Sequence, residues 1–244
     1  MKDEILNKFN GQYCSIGDIV AYIEELNGET PRKTIIWNVN SLVQQGKAVR
    51  FGRGVYGFIP KTRFNPIMGE APKRACSLLY EKFRYLDVTV TDSGILGQFM
   101  NLQPFSTITV LEVKKSAVGA VLSALRKDGV DAYAKKDYRA FAQYVSSSQP
   151  FVVRPELSVN PNLPQEKNVR VANLEKMLVD LLCDGDIYGQ YQGDELQNIY
   201  HNATEGYAVN YSQMLKYASA RKKKETALEM LQGTDEYNKI RSLL

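Results

Sequence analysis

Histidine and cysteine are scarce in this chain of 244 residues. The one histidine is His201, which excludes a histidine-rich metal site and argues against histidine-based acid–base catalysis. The three cysteines, Cys14, Cys76 and Cys183, lie far apart and form no CxxC pair, which argues against disulfides and a thiolate zinc site. We therefore expect no metal, no cofactor, no catalytic residues and no enzymatic activity.

Long apolar runs are also missing. A membrane-spanning helix needs about eighteen or more consecutive apolar residues, and the sequence has no such run. The N-terminus, MKDEILNKFN, is charged and lacks the apolar core of a signal peptide. These absences predict a cytoplasmic protein without a membrane partner.

Acidic residues are absent from one segment, although the net charge of the whole chain is only +4. Between Pro31 and Arg63 there is no Asp or Glu, and the basic residues are Arg32, Lys33, Lys47, Arg50, Arg53, Lys61 and Arg63. The segment carries +7, so the rest of the chain sums to −3 (4 − 7). A local positive field favours phosphate binding, although a solvated charged surface explains the same composition.

The first sixty residues predict three helices followed by a hairpin. The first helix covers 2–9, and the second begins after the N-cap Ser15 and ends at Gly28. The third begins near Thr30 or Pro31 and runs to about Gln45. Two β-type runs, AVRF and GVYGFI, then flank a Gly-Arg turn, which favours a hairpin. This order is typical of a winged helix–turn–helix.

The remaining chain alternates between short strands and helices. Helical patterns at 73–84, 93–100 and 116–127 alternate with strand patterns at 86–91, 106–113 and 151–155. A Pro/Asn-rich break at 158–168 precedes the N-cap Asn173 and an apolar helical stripe. We therefore predict an α+β protein. It has a winged helix–turn–helix at 1–60 and a linker at 61–72. A second domain follows, with an α/β part at 73–165 and a helical C-terminal part at 166–244.

The third helix has one apolar face and one polar face. At about 100° per residue, Val39 shares a face with Ile35, Ile36, Leu42 and Val43. The opposite, acid-free face has the residue types that read base edges in a major groove. We expect Lys33, Thr34, Asn38, Ser41 and Gln44 to approach bases, and Arg32, Arg50 and Arg53 to hold phosphates. Trp37 also lies on this face, where it either contacts DNA or packs against the hairpin or the next domain.

Three segments together resemble one known family. TIIWNVNSLVQQGKAVRFGRGVYGF, VRVANLEKMLVDLL (169–182) and VNYSQMLKYASARKKKETALEMLQ (209–232) are similar, in this order, to segments of the AbiE-type antitoxins of type IV toxin–antitoxin systems. The resemblance implies a repressor that binds inverted repeats in its own promoter. It also implies a functional partner, a toxin resembling nucleotidyltransferases, that the C-terminal domain counteracts with or without direct binding. Binding an inverted repeat requires two winged helices, and the sequence leaves the oligomeric state open.

Two other interpretations are open. Asp92 followed by Glu112-Val113-Lys114 is similar to the PD-(D/E)xK nucleases, in which two carboxylates hold Mg²⁺. Alternatively, the winged helix binds a protein instead of DNA. The basic run from Arg221 to Lys224 is either a solvated helix face, a second phosphate contact or a partner-binding patch.

Overall fold

The computed structural model describes residues 1–102, 104–141, 149–166 and 168–244, and its fold is a mixed α+β one. In this part of the chain the α-helices are α1 (Lys2–Phe9), α2 (Ile16–Asn27), α3 (Arg32–Gln44), α4 (Glu70–Lys82), α5 (Val118–Lys127), α6 (Lys135–Phe141), α7 (Leu174–Cys183), α8 (Asp194–Gly206), α9 (Tyr211–Ala220), α10 (Lys224–Gln232) and α11 (Asp235–Ile240). The helix predicted at 93–100 is a 3-10 helix, Ser93–Phe99. The strands are β1 (Tyr13–Ser15), β2 (Val49–Gly52), β3 (Val55–Gly57), β4 (Val88–Asp92), β5 (Thr109–Val113), β6 (Ala132–Ala134), β7 (Phe151–Pro155), β8 (Asn162–Pro164) and β9 (Val169–Ala172). None of the helices described here has the length and apolar character needed to cross a bilayer.

The N-terminal part consists of α1–α3 and a small antiparallel sheet with strand order β1-β3-β2. The three predicted helices and the hairpin are confirmed. The N-cap Ser15 forms a capping box, in which its side chain accepts the Asp18 N–H and the Asp18 carboxylate accepts the Ser15 N–H. Apolar residues at helical spacing, including Ile19, Ile35 and Val39, are fully buried between the helices.

The larger sheet has strand order β6-β7-β5-β4-β9-β8. The β4–β5 and β8–β9 pairs are antiparallel, and the other pairs are parallel. Alternate residues of β5 face opposite sides: Leu111 and Val113 pack in a core with α4 and α5, whereas Val110 packs in a core with α7–α9. Helices therefore cover both faces of this sheet.

Two predictions for the C-terminal region were wrong. The segment 166–244 is not wholly helical, because Val169–Ala172 form β9 between β4 and β8. The break at 158–168 contains the short strand β8. Strand β9 is only four residues long, so its valines gave too little periodicity to separate it from the helix that follows. The predicted N-cap Asn173 is confirmed, since its side chain accepts the Lys176 N–H.

The segment predicted as a linker packs against the C-terminal helices. Residues 61–69 form no helix or strand, but the Lys61 ammonium pairs with the buried Glu236 carboxylate at 2.8 Å. Phe64 packs against Phe99 and Tyr207, with ring centroids 5.4 and 4.9 Å away. The segment is therefore a packed connection between the N-terminal part and the rest of the chain, and not a free linker.

Candidate nucleic-acid interface

The outward side of α3 is polar, positively charged and exposed. Arg32, Lys33, Thr34, Trp37 and Gln44 are exposed on it, and no acidic side chain occurs in the helix. We call this surface, together with the half-buried Ser41, the α3 face. The α3 face is exposed because the helix is amphipathic and its apolar side packs against α2.

Trp37 is 65% exposed, which excludes the alternative that it packs against the hairpin or the next domain. The Lys2 ammonium lies 5.1 Å from the centre of its ring, which is a cation–π distance. The Lys2 ammonium also donates to the Ser41 hydroxyl at 2.8 Å. Lys2 is therefore a cation of the α3 face that sequence reasoning missed. Nothing in the local sequence indicated it, because α1 meets α3 only in the folded protein.

Asn38 does not belong to the α3 face, contrary to the prediction. Its side chain is 9% exposed, and the amide nitrogen donates to the Thr34 carbonyl at 2.9 Å and contacts the Met1 sulfur at 3.0 Å. The N-terminus of α1 covers this flank of α3. The Asn38 amide is therefore occupied within the protein, where a base edge cannot reach it.

The β2–β3 hairpin brings two further predicted residues to the surface. Arg53 lies at its tip with an exposed side chain, while its backbone N–H donates to the Ser212 hydroxyl of α9 at 3.0 Å. Arg50 is half-buried, and its Nε donates to the Gly52 carbonyl at 2.9 Å. Phe51 stacks on Tyr211 with ring centroids 6.3 Å apart. The hairpin is thus held against α9 by backbone and aromatic contacts that leave both guanidinium groups at the surface.

The residues considered for a nuclease site do not come together. In the β4–β5 pair Asp92 is opposite Thr109 and Glu112 is opposite Thr89, a separation of three residues, or about 10 Å along the strands. An odd separation places the two carboxylates on opposite faces of the sheet. The Asp92 carboxylate accepts the backbone N–H groups of Gly69 and Gly94, so it caps the 3-10 helix Ser93–Phe99 and holds the residue before α4. This geometry contradicts a two-carboxylate metal site.

Glu112 instead belongs to a network of buried charges. We call it the buried ion network; its members are Glu112, Arg154, Lys176, Asp180, Asp184 and Arg221. Lys135 joins it at the surface through Asp184. The network ties α7 and the α9–α10 turn to β5 and β7. Among the residues described, no group of three His, Cys, Asp or Glu side chains is arranged to hold a metal ion.

For the two aspartates of the network, attraction to neighbouring cations outweighs the cost of burying the carboxylate. Burial alone raises the pKa of Asp180, but the positive charges of Lys176, Arg154 and Arg221 hold that pKa below its usual value. The pKa of Asp184 is also lowered, with Arg154 opposing the effect of burial most strongly. Both aspartates are therefore ionised, and each compensates buried cations.

The basic run from Arg221 to Lys224 is not one helix face. Helix α9 ends at Ala220 and α10 begins at Lys224, and Lys222 between them has a positive φ of 57°. Arg221 points inward and pairs with Asp180 and Asp184, whereas the three lysines are exposed. The first residue of the run is therefore unavailable as a phosphate contact.

The chain matches one protein family over residues 34–237, the family of unknown function DUF6577. It belongs to that family. The matched range begins within α3 and contains the hairpin, both sheets apart from β1, and the C-terminal helices up to Tyr237. Comparisons with curated proteins and with solved structures found no match.

Proposed function

We propose that residues 1–60 form a winged helix–turn–helix and that the protein is a transcriptional regulator that binds double-stranded DNA. The observation that carries this proposal is the exposed, acid-free α3 face beside a hairpin tipped by Arg53. The element order α1-β1-α2-α3-β2-β3 supports it, because the third helix of such a module enters the major groove.

The side chains on this surface divide between two tasks. Lys33, Thr34, Ser41 and Gln44 have the donors and acceptors that read base edges. Arg32, Arg50 and Arg53 hold phosphates, and an arginine at a hairpin tip also fits a narrow minor groove. The exposed ring of Trp37 offers apolar contact to a thymine methyl group.

The biological role we propose is that of an autorepressing antitoxin in the cytoplasm. This part rests on the resemblance to the AbiE-type antitoxins in three segments of the chain. The DNA is then an inverted repeat in the protein's own promoter, and the functional partner is a nucleotidyltransferase-like toxin. Repression and antitoxicity are separate activities, so a variant can lose one and keep the other.

A protein-binding winged helix is the second candidate function. It is favoured by Trp37, which exposes a large aromatic surface on an otherwise polar helix face. A partner for this face would need an acidic, partly apolar surface. The seven cations of the acid-free segment suit DNA better, although Lys61 is one of the seven and is neutralised by Glu236.

A gel shift with DNA from upstream of the gene, at two salt concentrations with a scrambled competitor, tests DNA binding. The double variant Lys33→Ala, Arg53→Ala should lose roughly tenfold or more in affinity, since a base contact such as that of Lys33 contributes about 1–3 kcal/mol and the lost phosphate contact of Arg53 adds to this. The double variant Lys114→Ala, Lys115→Ala removes the same charge from exposed lysines beyond β5 and should bind like the wild type. Full affinity of the first variant at low salt would refute the assigned interface. No shift by the wild type, together with capture of a protein partner, would favour the second candidate.

Antitoxicity is tested by expressing the neighbouring gene with and without this chain. We expect the neighbour alone to arrest growth and co-expression to restore it. The Lys33→Ala, Arg53→Ala variant should still restore growth from a heterologous promoter, because the resemblance assigns antitoxicity to the C-terminal domain. A non-toxic neighbour would refute the antitoxin role and leave DNA binding untouched.

A further inference from the structure

A cleft of about 640 Å³ lies beside the contact between the hairpin and the C-terminal part of the chain. It lies between β2–β3, the loop 158–161 and the beginning of α9. The cations that line it are Arg50, Arg53 and Lys216. Lys216 lies on α9, outside the acid-free segment, so no sequence pattern groups it with the two arginines.

The charge in this cleft is uncompensated. No Asp or Glu lines it, and its other polar residues include Asn160 and Gln213. Neither Arg53 nor Lys216 has an ion pair or side-chain hydrogen bond in the described part of the chain, and Arg50 uses only Nε, on a carbonyl. Three cations around one acid-free cleft are mutually repulsive, and a bound anion relieves that repulsion.

The cleft is preformed. The bond from the Arg53 N–H to Ser212 and the stacking of Phe51 on Tyr211 fix the hairpin tip against α9. Helix α9 is ten residues long, and its first turn faces the cleft through Ser212 and Gln213. Its N-terminal partial charge adds to the positive field of the three side chains.

We propose that this cleft binds the phosphodiester backbone of the same duplex that the α3 face reads, with Lys216 as a phosphate contact contributed by the C-terminal part. This inference rests on the proposed function. Arg50 and Arg53 of the hairpin then contact the DNA backbone from one side of the cleft, and Lys216 of α9 contacts it from the other. Such contacts are independent of base sequence, so they add affinity without adding specificity.

The test compares Lys216→Ala with Lys115→Ala, an exposed lysine that does not line the cleft. Equilibrium binding of the full chain to its upstream DNA and to a scrambled duplex is measured between 50 and 200 mM salt. Loss of one phosphate contact lowers the slope of log K against log salt by about 0.9. The affinity deficit of Lys216→Ala at 50 mM should therefore be about 3.5-fold greater than at 200 mM.

We expect this deficit on both duplexes, with the specificity ratio unchanged, no deficit in Lys115→Ala and a wild-type slope in Lys216→Arg. Lys216 is exposed, so its variants should keep the wild-type thermal midpoint. A Lys216→Ala slope equal to that of Lys115→Ala would overturn the cleft assignment while leaving the α3 face intact. Absence of any wild-type binding at 50 mM salt would instead refute the proposed function, and the cleft assignment with it.

Discussion

Asp180 lies at the centre of the buried ion network, and its loss should strongly destabilise the fold. It is fully buried on α7, where Oδ2 accepts the Lys176 ammonium at 2.7 Å and the Arg154 guanidinium at 3.0 Å. Oδ1 accepts the Tyr217 hydroxyl at 2.6 Å and the Arg221 guanidinium. The substitution Asp180→Asn keeps the size of the side chain and removes the charge that three cations share.

The size of the effect follows from this burial. Removing one partner of a buried ion pair typically costs about 3–5 kcal/mol, because the remaining charge is left uncompensated. Glu70 provides the matched control: it pairs with Lys73 at 3.0 Å, but its side chain is 84% exposed. Exposed pairs contribute about 0–1 kcal/mol, so Glu70→Gln should be nearly neutral.

Urea unfolding followed by circular dichroism measures both variants. We expect Asp180→Asn to lower the free energy of unfolding by about 3–5 kcal/mol with an unchanged m-value. A loss below about 1 kcal/mol, similar to that of Glu70→Gln, would refute the view that this network is strongly coupled.

Acid gives a second readout of the same network. The pKa values of Asp180 and Asp184 are lowered in the folded protein, so these groups contribute stability that is complete above the unfolded-state pKa of about 3.9. That contribution is lost as pH falls through the lower folded-state values. The wild type should therefore lose stability more steeply below about pH 4 than Asp180→Asn does. Equal slopes for the two proteins would contradict the assigned direction of the shifts.

Two further predictions concern packing. In Gly52→Ala the new methyl group would lie 2.8 Å from the Ser212 hydroxyl and overlap the Leu244 side chain, so we expect a loss of about 1–3 kcal/mol and a lower thermal midpoint. Gly119→Ala meets open space on α5 and should be neutral or stabilising; equal midpoints for the two variants would refute the close contact. Burial raises the pKa of the Cys14 and Cys76 thiols to about 12, so neither should react with a thiol reagent at pH 8 until urea unfolds the chain. Rapid reaction of both in the folded protein would contradict their burial.

The elements that could be predicted are those with local signals. Ser15, Asn173 and the glycines that end α2 and α3 fixed helix boundaries to within about a residue or two, because caps act within one turn. The strand at 151–155 was predicted with its bounds because five residues of β type stand between clear breaks. Strands β1, β6 and β8 have three residues each, too few for a periodic signal, and were not predicted.

The interface was only partly predictable for a related reason. Helical periodicity separated Lys33, Trp37 and Gln44 from the buried side of α3, since that separation depends on 3.6 residues per turn alone. It could not show that α1 covers Asn38 or brings Lys2 beside Trp37. Flanking positions of a helix become buried or exposed according to the neighbour that packs there.

The sequence by itself determined the mixed composition of elements, the acid-free basic segment and the polar side of α3, because each arises from residues close together in the chain. Tertiary structure alone decided which charges meet. It placed Glu112 beside Arg154, 42 positions further along the chain, and in the same network as Asp180, 68 positions further along. The carboxylate whose spacing from Asp92 resembled that of a nuclease is therefore an internal counter-ion. It also brought Lys216 to the cleft beside Arg53. Electrostatic energy depends on distance through space and on burial, and neither follows from separation along the chain.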